Sequence, residues 1–286
     1  MKIDSFFDPN TSTVTYIVSD PETKRCAIID SVHDFDLHSG RISSESADKL
    51  IDYIKKMDLQ VEWILDTHVH ADHLTAASYL KKHLGGNIGI GEHIKQVLSY
   101  WLPIFNTGAD TPSDGTQFDV LFSDGEEFKI GHLTVKVIHT PGHTPDSVSY
   151  YINDAVFVGD TLFMPYVGTA RTDFPGGSAE TLYHSIQKIF ALPDDTRIYT
   201  CHDYPPEGQK PAWESTVAEQ KKNNVMIKSA VTENEFIAAR NKKDFHKAVP
   251  KLLLPSIQVN LRAGQLGTFD TNQTQYIKIP INKIPT

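Results

Sequence analysis

The feature that most constrains this chain is Thr67-His68-Val69-His70-Ala71-Asp72-His73, which follows the apolar stretch 61–65 almost directly. Residues 61–65 have the composition of a buried strand. A strand that runs into four ligating side chains can converge them on one small volume only at its end, where the chain turns. Imidazole nitrogen and carboxylate oxygen suit zinc, iron or manganese, and the lack of thiolates argues against a structural zinc site. Three later segments repeat the design: 133–138 leads to His143, 155–158 to Asp160, and 197–200 to His202. Any one of the 13 histidines taken alone reads as solvated or hydrogen-bonded. Recurrence at strand ends sets these apart and places one metal site at the edge of a sheet core.

The rest of the chain fits an ordinary globular protein. With 286 residues, 40% hydrophobic and 22% charged, it can bury a sizeable core without disulfides. Cys26 and Cys201 are its only cysteines, too few for a disulfide framework, which favours a reducing compartment. The first twenty residues carry acids and turn formers where a signal peptide needs an apolar stretch, so a cytoplasmic location is expected. No run approaches the ~20 apolar residues of a membrane span. The net charge of −9, with no dense Lys/Arg run, argues against nucleic acid and anionic membranes as partners.

Periodicity gives a layered α/β reading. Residues 14–18 and 26–29 are β-branched runs joined by a turn, and 45–57 has helical spacing with Ala47, Leu50, Ile51 and Ile54 on one face. A helix is expected from Leu74 to Leu84, stopped by Gly85-Gly86, with a strand beginning at Ile88. Residues 100–119, aromatic and punctuated by Pro and Gly, read as a long loop. Residues 148–152 form a further strand, and 178–190 a helix capped by Ser178. Beyond Pro211, residues 214–223 and 232–242 read as helices. The organisation expected is a catalytic domain over 1–210 and a helical, irregular extension over 211–286 packed on the same domain.

Thr67-His68-x-His70-x-Asp72-His73, His143 in Thr140-Pro141-Gly142-His143-Thr144, Asp160 in Gly159-Asp160-Thr161-Leu162-Phe163, and His202 together resemble the metallo-β-lactamase superfamily. The resemblance covers residues 1–210. It implies an αββα sandwich of two mixed β-sheets with outer helices and the metal at one edge. Ala170-Arg171-Thr172-Asp173-Phe174, Thr181-Leu182-Tyr183-His184-Ser185 and His202-Asp203-Tyr204 resemble the persulfide dioxygenase branch, which is similar to glyoxalase II. Pro175-Gly176-Gly177-Ser178 and the segment 254–262 resemble its bacterial β-lactamase-hydrolase-like members. Ala76 departs from the glyoxalase pattern, which has glycine there.

That resemblance implies one Fe(II) per chain, held by His68, His143 and Asp160, and oxidation of glutathione persulfide by dioxygen to sulfite and glutathione. His70, Asp72, His73 and His202 would then surround the metal without binding it, with Asp72 and Arg171 in catalytic roles. The alternative it leaves open is a binuclear hydrolase of glutathione thioesters, zinc or mixed-metal. There His68, His70 and His143 hold one metal, Asp72, His73 and His202 the second, and Asp160 bridges. Tyr204 and Arg262, with Lys210, are the candidates for the substrate tail, because glutathione carries two carboxylates. Asp203 is expected to anchor its loop, and Cys201 to be a buried, inert thiol. The partners expected are glutathione persulfide and dioxygen, with a second copy of the chain, as a homodimer, left open.

Overall fold

Alternation along residues 13–19 decides how the layers form. Val14, Tyr16 and Val18 enter one apolar cluster, while Ile17 enters another on the opposite face. Both faces are buried, as they must be for a strand covered by a sheet on one side and helices on the other.

The computed structural model describes residues 1–284. The first half of the chain gives strands β1 (Lys2–Asp8), β2 (Thr13–Ser19), β3 (Arg25–Ile29), β4 (Val32–Asp36), β5 (Arg41–Ser43), β6 (Gln60–Leu65), β7 (Leu74–Thr75), β8 (Asn87–Gly91) and β9 (Val120–Phe122). The second half gives β10 (Glu127–Ile130), β11 (Leu133–His139), β12 (Val148–Ile152), β13 (Ala155–Phe157), β14 (Arg197–Tyr199) and β15 (Glu214–Thr216). The helices are α1 (Glu45–Lys56), α2 (Ala77–Leu84), α3 (Ile94–Phe105), α4 (Ala179–Phe190), α5 (Val217–Asn223), α6 (Glu233–Asp244) and α7 (Leu253–Asn260).

Two mixed six-stranded sheets, in the orders β1-β2-β3-β6-β8-β9 and β10-β11-β12-β13-β14-β15, face each other. Residues of β2 and β3 meet Val135, Val137, Tyr150, Ile152 and Phe157 between them. Helices α1, α2, α3 and α7 cover the first sheet, and α4, Val217 and Phe236 cover the second. Burial at ~25 cal/mol per Å² of apolar surface drives this layering. The result is the αββα sandwich expected. A small sheet, β5-β4-β7, flanks the metal-binding edge. Among the described residues, no helix is long and apolar enough to cross a membrane.

Three differences from the sequence reading have physical causes. The segment expected to be a loop from Tyr100 is helical up to Phe105. Ile94, Val97, Leu98, Trp101, Leu102 and Phe105 form its buried face, and Pro103 sits in the last turn, where little helix remains to disrupt. Asn106, left-handed at φ 51, ends it. Next, Leu74-Thr75 is a short strand pairing with β4, so the helix starts only at Ala77. Finally, Glu214–Thr216 is a strand pairing with β14, and the helix begins after Thr216 caps it. The segment after residue 210 therefore completes the second sheet. The half-exposed edge strand β1 and helix α7 escaped the periodicity reading. Ser178 caps α4 as expected, accepting from the Thr181 amide.

Candidate metal centre

The turn after β6 is fixed before any ligand is considered. Asp30, left-handed at φ 52 at the end of β3, accepts from the Thr67 amide at 2.7 Å and the Thr67 hydroxyl at 3.0 Å. Asp146 accepts from the Val69 amide at 2.8 Å, and the Val148 amide donates to the Thr67 carbonyl. Asn260 of α7 donates to the carbonyls of His70 and His73, both at 2.8 Å, and accepts from the Thr75 amide. Gly159, at φ 51, sits against Thr67. A Cβ there would overlap the Thr67 hydroxyl, so the residue before Asp160 has to be glycine.

These contacts also set the imidazole tautomers. The Thr67 hydroxyl donates to Asp30, so it accepts from His68 Nδ1 at 3.0 Å and leaves Nε2 as the free lone pair. His143 Nδ1 donates to the Arg171 carbonyl at 2.8 Å, and His70 Nε2 to Asp30 at 3.0 Å. His202 Nδ1 donates to the Ser12 carbonyl at 3.2 Å. The Thr11 hydroxyl donates to Asp8 and accepts from Thr13, so the Thr13 hydroxyl accepts from His73 Nδ1 at 3.3 Å. Five imidazoles thus point one N–H outward and turn their other ring nitrogen inward.

What lies inward is largely unpartnered. His68 Nε2, His70 Nδ1 and His73 Nε2 are buried and have no hydrogen-bond partner, and His202 Nε2, Asp72 Oδ2 and Asp160 Oδ1 have only one another, at 3.2 and 3.4 Å. An unsatisfied buried polar atom costs about 1–3 kcal/mol. Three such nitrogens amount to a sizeable share of the ~5–15 kcal/mol by which a domain is stable. A divalent cation removes that cost, and the donor set, neutral imidazoles with carboxylates, fits one.

Electrostatics agree. Burial, reinforced by neighbouring imidazoles, pushes the His68 and His70 pKa values well below the usual range, which keeps both neutral and able to ligate. Burial raises Asp160, with Asp72 and Asp30 adding to it against His202 and His143. Burial would raise Asp72 as well, but His202, His73 and His70 outweigh it and hold this carboxyl well below its usual range. Conversely, Asp72 and Asp160 lift His202 against its burial. A metal ion would supply the positive charge that these carboxylates otherwise draw from His202.

Among the clusters of potential ligating atoms that lie within 4.8 Å of one another, His68, His143 and Asp160 form one and His70, Asp72, His73 and His202 another, and Asp160 also joins His202 and Cys201, with His202 Nε2 3.4 Å from Asp160 Oδ1. His143 Nε2 lies 3.6 Å from Asp160 Oδ2, and His202 Nε2 lies 3.2 Å from Asp72 Oδ2. A cavity of about 1040 Å³ opens over them, and Asp72, His143, Asp160, Arg171 and Tyr204 line it. Tyr204 stacks on His202, with ring centroids 6.1 Å apart.

Other expected residues are placed differently. Arg262 does not reach the cavity. It is buried at the end of α7, where it pairs with Asp110 at 2.9 Å and donates to Thr111 and the Gln258 carbonyl, so its role is to pin the loop after α3. Lys210 lies exposed, away from the lining. Arg171 borders the cavity, but its guanidinium is engaged by both Asp173 oxygens and the carbonyls of Lys247 and Ala248. Asp203 anchors its loop, accepting from Tyr166 and the Ala212 amide. Burial, with Asp30, Asp160 and Asp72 nearby, pushes the Cys201 thiol well up and keeps it protonated. Asp30, Asp146 and Asn260 were not singled out from sequence. Asn260 closes a short helix that also carries Ser256 and Gln258, so nothing local marked it.

A family profile for the Metallo-beta-lactamase superfamily matches residues 8–202, and the chain belongs to that superfamily. Within it, the chain is 52% identical over 283 residues to a Dictyostelium discoideum protein named Glyoxylase B2, covering 98% of this chain and 97% of that one. It is 50% identical to a β-lactamase hydrolase-like protein of Agrobacterium fabrum, covering 98% of this chain and 64% of the longer relative. To the human mitochondrial persulfide dioxygenase ETHE1 it is 30% identical, over 90% of this chain and 87% of that one. The crystal structure of ETHE1 from Myxococcus xanthus superposes with a TM-score of 0.74 at 30% identity, covering 93% of this chain and all of that one.

Proposed function

We propose that this chain is a mono-iron persulfide dioxygenase that converts glutathione persulfide, dioxygen and water into glutathione and sulfite. The observation that carries the reading is the grouping of ligands. His68, His143 and Asp160 converge as a two-histidine, one-carboxylate set, and His70, which a hydrolase would need beside His68 and His143, groups with Asp72, His73 and His202, while Asp160 also reaches His202 as a bridging carboxylate would. Such a facial set leaves open positions on a six-coordinate metal. The persulfide dioxygenase named among the relatives adds support.

Fe(II) held there would supply the redox chemistry that dioxygen requires. The chain's own residues do the rest. His143 is held edge-on to Phe174, with centroids 5.2 Å apart, and Phe163 stands over His202, so apolar rings shield the ligands from bulk water. Asp72 lines the cavity and pairs behind it with the buried His202 at 3.2 Å, so it can orient a water or hold a proton beside the sulfur. Iron-loaded protein given glutathione persulfide should take up oxygen and release sulfite, with close to one iron per chain. Two fully occupied metals and no oxygen uptake would sink the reading.

The second reading is a binuclear hydrolase of glutathione thioesters. The complete group His70, Asp72, His73 and His202 favours it, as does the name of the Dictyostelium relative. Anaerobic cleavage of S-lactoylglutathione by the zinc-loaded protein would select it.

A further inference from the structure

Charge around the cavity is distributed unevenly for a chain of net charge −9. Arg25, Arg171, Arg197, Arg240 and Arg262 are each held in an ion pair. The remaining arginine, Arg41 on β5, has no ion-pair partner among the described residues, and it lines the cavity. So do Lys247 and Lys251, on the loop between α6 and α7, which are likewise without an acidic partner there. The acids on the opposite wall are mostly engaged. Asp8 accepts from Thr11, Asp34 from Ser46, and Asp36 from the His38 amide and Ser39. Glu45, next to that hairpin, lines the same wall.

Lys247 is the most informative of the three cations. Arg171 donates to its carbonyl, so the loop position is fixed while the ammonium stays free. Lys247 is exposed at the cavity rim, and Arg171 and Arg240 nearby are themselves held by Asp173 and Asp244. An ammonium at the rim with no acid of its own in hydrogen-bond reach is available to an incoming carboxylate.

We infer that Lys247 and Lys251 bind the terminal glycine carboxylate of a glutathione-bearing substrate, and that Arg41 with Glu45 binds its zwitterionic amino-acid end. The inference deepens the proposed function and rests on its choice of substrate. The sulfur then reaches the metal from a tail held at both walls, and specificity for glutathione over smaller thiols comes from the α6–α7 loop and the β4–β5 hairpin.

Calorimetric titration of metal-loaded protein with glutathione and with its glycine monoethyl ester tests this without turnover. Wild type should bind glutathione about tenfold more tightly than the ester, the scale of one charge-assisted hydrogen bond. Lys247→Ala/Lys251→Ala should bind the two alike, and its KM for glutathione persulfide should rise about tenfold or more with kcat kept. Lys247→Arg/Lys251→Arg should restore the preference, and turnover of inorganic persulfide should be unchanged in all variants. Unaltered glutathione affinity in the double alanine variant would overturn the inference, as would a wild type indifferent to the ester. Oxygen uptake without lysine dependence counts against this inference alone. Lysine-dependent glutathione binding without oxygen uptake counts against the dioxygenase reading alone.

Discussion

Arg171 stands behind His143: its carbonyl accepts the Nδ1 proton of the histidine at 2.8 Å, while its guanidinium closes on Asp173 and on the carbonyls of Lys247 and Ala248. Backbone and side chain of one residue thus connect a candidate metal ligand to the loop at the cavity mouth. The two roles separate by mutation. Arg171→Met keeps the carbonyl, so bound metal should stay near wild-type content. It loses several charge-assisted hydrogen bonds, each worth about 1.5–3 kcal/mol when well formed, and the loop loosens. A lower denaturation midpoint and faster amide exchange at Lys247 and Ala248, with metal retained, are the expected results. Loss of metal would show that the side chain itself supports the centre.

Removing inner ligands should divide them into two classes. His143→Ala deletes a lone pair from the three-residue group, so iron content and activity should fall together. His202→Ala should keep most of the iron while activity drops by about 10–100-fold, as expected for a residue that orients rather than binds. Elemental analysis beside an oxygen electrode reads both. Equal loss of metal in the two variants would favour the binuclear hydrolase.

Asp30→Asn reverses a relay. An asparagine that still accepts from the Thr67 amide must offer its NH₂ to the Thr67 hydroxyl, which then turns its own proton toward His68 Nδ1. His68 would carry its proton on Nε2, facing the metal. Metal affinity should fall by about 10–100-fold, measured by competition with a chelator. Histidine ¹⁵N shifts of the metal-free protein should report the exchanged tautomer. Unchanged affinity would mean that the tautomer is not set through Thr67.

Metal removal should cost stability, because the inward-facing nitrogens of His68, His70 and His73 are left buried without partners. Metal at about 100 times its dissociation constant adds ~2.7 kcal/mol through mass action. Chelation should therefore lower Tm reversibly. An unchanged Tm would mean that the centre relaxes and finds internal partners.

Asp20 sets an acid limb far from the metal. The His132 amide first, then the Thr23 hydroxyl, hydrogen-bond its carboxylate and lower its pKa from 3.8 to about 2. A depressed folded-state pKa means stability that is present in full above the unfolded value and lost as pH falls from about 4 toward 2. Asp20→Asn should lower the urea midpoint at neutral pH and flatten its decline over that window. A decline as steep as wild type would assign acid sensitivity to other carboxylates.

The convergence of His68, His70, Asp72, His73, His143, Asp160 and His202 was legible because each follows a strand, and a side chain at a strand end declares its place by local order. The same local order identified Ser178 as a cap. Arg262 misled for the opposite reason: its partner Asp110 is 152 positions away, and nothing local distinguishes a buried clamp from a cation awaiting substrate. Lys247 was missed on the same ground, since its significance lies in facing a cavity formed by β4 and β5. Helix α3 was hidden because the reading began at Tyr100, past Ile94, Val97 and Leu98, which establish its period.

Asn260 gives the centre a schedule. The turn bearing His68 to His73 leaves the ribosome early, but the amide that ties down the carbonyls of His70 and His73 comes from α7. At roughly 5–20 residues per second, ribosomal synthesis separates the two by about 10–40 s. During that interval the histidines are present without the geometry that selects a metal. Correct loading therefore waits for α7 to emerge and dock on the turn.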